Sequence, residues 1–162
     1  MPVKGADVVA RNLKSFGGGF LKHVNSCMSH VSEILDKEVI SNISLQDHDL
    51  RALARLDHPY RIGGPGLHEP ENYKVHIQSG QMISAKISGI KEADINSGVL
   101  KAGAFAGVDE SRAPHALYVY WGTSKMIPRD FLTPALNKTK EPTLAYLTQN
   151  LKDFVFKFKE GS

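Results

Sequence analysis

Residues 82–108 read MISAKISGIKEADINSGVLKAGAFAGV, and their period decides the fold class. Ile83, Ala85, Ile87 and Gly89 alternate with more polar neighbours, the two-residue period of a strand. Val99 to Val108 is rich in small and apolar residues and reads as a second strand. Asp94 to Gly98 lies between them as a turn or a further short strand. The expected sheet region is 81–121.

On either side of this region the period changes to that of helices. Val9, Leu13, Phe16, Phe20, Val24, Met28, Val31, Leu35 and Val39 recur at three- or four-residue steps, one face of an amphipathic helix over 3–41. Gly17, Gly18 and Gly19 fall inside it, each costing about 1 kcal/mol against alanine in a helix interior, so the expected helix is interrupted there. No strand precedes the triplet and no Lys-Ser or Lys-Thr pair follows it, which speaks against a phosphate-binding loop. Ser44-Leu45-Gln46-Asp47 has capping-box spacing, and Leu50, Leu53 and Leu56 follow on one face, giving a short helix over 44–56 that stops before Pro59.

After the sheet region, Thr133 stands as a capping hydroxyl before Pro134. Leu144, Leu147, Leu151, Phe154 and Phe158 then share a helical face, a terminal helix over 134–158 kinked or restarted at Pro142. The order gives a single α+β domain over 1–162, with N-terminal helices and a C-terminal helix packed on a small antiparallel sheet. A long irregular loop, 57–80, separates the helices from the sheet. Its Gly63, Gly64, Pro65, Gly66 and Pro70 oppose regular structure, while Tyr60, Ile62, Leu67 and Tyr73 are apolar enough to anchor it on a partner. It reads as an arm that orders on contact.

Composition bounds the function without naming it. A chain of 162 residues with 41% hydrophobic and 23% charged residues is ordinary for a soluble domain, and no apolar run is long enough to span a bilayer. The charged, helix-patterned N-terminus lacks the features of an export signal, so the protein is expected to stay where it is made. A net charge of +3 is far below the concentrated positive field of a dedicated nucleic-acid binder.

The search for chemistry finds no catalytic group and no cofactor motif. The lone Cys27 sits in a helical pattern as a small buried hydrophobe, and no serine lies in a G-x-S-x-G elbow. His58, His68 and His76, near Glu69 and Glu71, match no compact zinc spacing and read as loop histidines. Asp47-His48-Asp49 reads as a solvated first helical turn. The expectation is a protein that is not an enzyme and holds no metal.

The stretch 116–136, ALYVYWGTSKMIPRDFLTPAL, carries a resemblance. Tyr118, Val119, Tyr120, Trp121, Gly122 and Thr123, then Arg129, Asp130, Phe131 and Leu132, then Pro134, Ala135 and Leu136, follow a known pattern. It is similar to that of the tail-completion or head-tail joining proteins of lambda-like long-tailed bacteriophages, roughly Y-V-E-aromatic-G-T, R-P-F-L and P-A-L. Val75 to Met82, through Gly80 and on to Ile87, resembles that family's T-G-x-L-x-x-S-I block at the head of its first main strand, and Asp57-His58-Pro59-Tyr60 resembles an H-P-Y upstream. Two positions depart: Tyr120 stands where the family has a carboxylate, and Asp130 where it has proline.

The resemblance implies a structural virion protein, made in the host cytoplasm, that forms a ring in the phage neck. Six copies would complete the tail or join it to the head, touching a head connector or adaptor on one side and a tail terminator or tail tube protein on the other. DNA is met only in passage, and membranes not at all. Trp121 and Phe131 are expected to close the core where the sheet hands over to the last helix, with Gly122 making the corner. A rival reading is a nucleic-acid-binding module that stacks bases on Tyr118, Tyr120 and Trp121 beside Lys125 and Arg129.

Overall fold

The computed structural model of the chain describes residues 6–45, 74–77, 79–96 and 99–160. Two long helices form its frame. Helix α1 spans Ala6–Ile43, and the terminal helix, α4, spans Thr133–Glu160. They lie antiparallel, because contacts that rise along one fall along the other: the Phe16 and Phe158 rings are 4.7 Å apart, His30 and Tyr146 4.6 Å, and Glu38 is paired with Lys138.

The expected interruption of α1 is corrected: Gly17, Gly18 and Gly19 are helical. Phe16 stacks on Phe20 at 5.7 Å, both rings meet Phe154, and a Cβ at Gly19 would lie 3.5 Å from the Phe154 ring. Aromatic packing against α4 on both sides of the triplet holds a helix that local propensity disfavours. Gly17 and Gly18 have open space where a Cβ would stand. Gly18→Ala is therefore expected to raise stability by about 0.5 to 1 kcal/mol, seen as a higher urea midpoint with an unchanged slope.

Among the described residues the sheet is an antiparallel hairpin of β1, Lys86–Asn96, and β2, Val99–Val108. Asp94 to Asn96, expected as a turn or a short strand, are strand: they pair with Lys101 to Val99 and belong to β1. The register shifts between Lys91 and Asp94, where Glu92 and Ala93 oppose Ala102 alone. The Ala93 N–H freed from the ladder donates to Asn25 Oδ1 at 2.6 Å. Ser32 Oγ donates to Phe105 O at 3.1 Å, and Lys86 pairs with Asp36 at 2.6 Å. Polar residues of α1 thus fix the hairpin along the helix. Ala106 and Val108 turn to the core, while Ile87 and Phe105 share the opposite, exposed face. There Phe105 lies across Gly89, whose missing Cβ would sit 2.9 Å from the ring.

The sheet region is shorter than the expected 81–121. Gln81–Ser84 is a helical turn, α2, and His115–Trp121 is a helix, α3. The block from Val75 to Ile87 that resembles the head of a strand is therefore helical over Gln81–Ser84 and enters β1 only at Lys86. The short helix expected over 44–56 does not begin at Ser44: Leu45 leaves α1 in extended form and forms a parallel bridge with His76. Its remaining residues lie outside the described residues, as do Tyr60, Ile62, Leu67 and Tyr73 of the proposed arm.

The far end of that loop is corrected. Val75 and His76 are buried, and Val75 N–H donates to Asn42 O at 2.7 Å. This end belongs to the protein's own core. The core itself gathers at the C-terminal end of α1, where Val39, Ile43, Val75, Met82, Val119 and Phe131 meet.

Helix α4 begins at Thr133 and continues through Pro142 to Glu160, with neither a restart nor a threonine cap. Within its expected apolar face, Phe154 and Phe158 meet α1 while Leu144 is exposed. Among the described residues, no helix is long and apolar enough to cross a membrane.

Candidate functional site

The segment from α3 to the start of α4 brings the motif residues together. In α3, Ala116 and Val119 are three residues apart and point inward. Leu117, Tyr118 and Trp121 share the other face, exposed by 44%, 61% and 73%. The expectation that Trp121 closes the core is therefore overturned. Its ring packs edge-on against Tyr120 at 4.8 Å, and Tyr120 in turn meets Phe131 at 5.7 Å. Tyr120 is the intermediary between Trp121 and the core.

Gly122 does make the corner. Its φ of +72° with ψ of −178° lies in a region open essentially to glycine alone, and a Cβ there would stand 2.7 Å from Met126 O. Thr123 and Met126 then close a tight turn through two backbone hydrogen bonds of 2.9 and 3.2 Å, with Lys125 N–H donating to Thr123 Oγ1. The chain returns to α3 where Arg129 N–H donates to Val119 O at 2.8 Å. Phe131, 2% exposed, has its carbonyl held by Asn42 Nδ2 at 2.9 Å.

Arg129 is 2% exposed, and its Nη1 donates to Lys74 O at 2.8 Å. The guanidinium ties the 74–77 segment to the turn, which removes it from the basic surface that the nucleic-acid reading requires. Lys125 remains exposed. Gly80, with φ of +73°, starts α2 from a left-handed position. Leu132 packs on the core and Pro134 lies in the first turn of α4.

Asp130 caps α4. Its Oδ1 accepts the N–H of Leu132 at 3.2 Å and of Thr133 at 2.8 Å. Burial pushes this carboxyl up, but the Thr133 hydroxyl and N–H, the Leu132 N–H and the Tyr120 hydroxyl outweigh it and hold the group below the usual value. The Tyr120 hydroxyl and the Asp130 carboxyl thus meet. A depressed carboxyl contributes stability above its ordinary titration range and loses it as pH falls through the folded-state value. Asp130→Ala is expected to cost about 1 kcal/mol at neutral pH. The gap between the two proteins should narrow below about pH 4, as read from urea midpoints along a pH series.

Nucleophilic chemistry has little support here. Burial pushes the Cys27 thiol up, a hydrogen bond with Tyr146 opposing this in part, so the thiol stays protonated. Among the described residues no three His, Cys, Asp or Glu side chains are grouped to hold a metal. His76 is buried beside the end of α1, and His58 and His68 lie outside the described residues.

What the segment offers is a surface for contact. The exposed face of α3 was missed by the strand reading of Tyr118 to Trp121. Its signal was available in the pairing of Ala116 with Val119 at helical spacing. Comparison with family models, curated proteins and solved structures finds no match to this chain.

Proposed function

We propose that the chain is a structural, non-enzymatic protein of the phage neck, assembling as a ring that completes the tail or joins it to the head connector. The reading rests on the resemblance carried by Tyr118 to Leu136. The observation that supports it is that this same stretch exposes Leu117, Tyr118 and Trp121 on one short helix. A cluster of large apolar side chains held at the surface by a rigid corner suits protein contact. Identical subunits placed head to tail then close a ring when the rotation per subunit divides a full turn.

Mass measurement in solution over a range of concentrations, with electron microscopy of the assembled fraction, tests the proposal. Closed rings of uniform copy number are expected, six from the resemblance. A chain that remains monomeric at every concentration and in the presence of tail tube or connector protein would remove it. The exposure of Tyr118 and Trp121 also suits base stacking, so single-stranded DNA is the second probe. Tight binding with a steep salt slope would favour the nucleic-acid module, whereas weak binding blind to sequence suits a neck ring.

A further inference from the structure

We propose that Trp121 of one copy seats in an apolar groove of the next copy, a groove formed by α1, β2 and the start of α4. The inference rests on the ring reading above and names the two surfaces that build the ring. The groove encloses about 230 Å³ between Leu35 and Val39 of α1, Ala104 and Ala106 of β2, and Leu132 and Leu136 at the start of α4. Its walls are apolar, with Phe105 among them. Thr133 on the same lining carries a hydroxyl whose lone pairs can accept.

Apolar walls with one acceptor suit an indole, which buries a large ring and needs a partner for a single N–H. The chain has one tryptophan, and its 73% exposure shows that it does not fill the groove of its own subunit. Leu117 and Tyr118 flank it on the same exposed face and extend the contact beyond the indole. Knob and groove are different surfaces of one chain, so the contact between copies is heterologous and repeats until a ring closes. A tryptophan at the centre of such a contact is the type of residue that dominates interface energetics.

The single tryptophan makes the proposal directly readable. Fluorescence of the full chain is followed across the concentration range in which sedimentation reports assembly. Emission is expected to move to the blue in step with the rise in mass. Leu136→Lys alters a groove wall that is 57% exposed and outside the core, so its urea midpoint is expected to match the parent. Assembly of this variant should require at least about tenfold more protein, with emission staying to the red until then. Trp121→Ser, at the knob, is expected to show the same loss of assembly.

Rings whose tryptophan emission stays water-like, or a Leu136→Lys variant that is folded and assembles like the parent, overturn the contact while leaving the ring reading standing. Assembly that buries Trp121 but stops at a dimer supports the contact and overturns the ring. A parent chain that never assembles removes both.

Discussion

Phe131→Ala is expected to lower stability by about 3 to 5 kcal/mol, the usual range for truncating a buried phenylalanine. The side chain is 2% exposed and sits where α1, α3 and α4 converge, with the Tyr120 ring edge-on at 5.7 Å. The backbone there is pinned from two directions, by Asn42 at its carbonyl and by Arg129 O at its N–H. With so little freedom to collapse, the cavity left by truncation stays largely open and the cost falls toward the upper part of the range. Urea unfolding measures it. A loss below about 1 kcal/mol would mean that the ring is not a core element and that the turn is held by its hydrogen bonds alone.

Gly122→Ala is expected to be as damaging despite adding a single carbon. The backbone conformation alone costs a non-glycine residue about 1 to 3 kcal/mol. The new Cβ would also meet Met126 O at 2.7 Å and Pro128 N at 2.8 Å, both atoms of a turn closed by the Thr123 and Met126 bonds. Neither can withdraw without opening that turn, so a loss of at least about 3 kcal/mol is expected. Gly107→Ala is the control, because nothing lies within 4 Å of its missing Cβ. Its urea midpoint should stay within about 0.5 kcal/mol of the parent. Equal effects at the two glycines would mean that the corner at Gly122 is not strained.

These two positions also bear on function, since the corner and the buried phenylalanine hold the exposed face of α3 in place. Loss of assembly through either would accompany loss of stability. Loss through Leu136→Lys or Trp121→Ser would not, and the contrast separates scaffold from contact surface.

The helical period of α1, the two strands with their small and apolar residues, the glycine corner and the terminal helix are legible in the sequence because each is a repeated or strongly local signal. Nine residues from Val9 to Val39 carry the same apolar phase, and that phase is the period of a helix. What required the tertiary structure are the places where local preference is weak or opposed. Gly17 to Gly19 stay helical because Phe154 and Phe158 pack across the helix around them. Tyr118 to Trp121, rich in residues that favour strands, form a helix because Ala116 and Val119 must both reach the core while Gly122 turns the chain away. Arg129 is buried through a bond to Lys74, 55 residues away, that spacing alone cannot bring together, while Asp130 rather than Thr133 caps α4 through local bonds. Local propensities differ by about 1 kcal/mol per residue, whereas burying one large side chain is worth about 1.5 to 3. Where the two conflict, packing between distant segments decides.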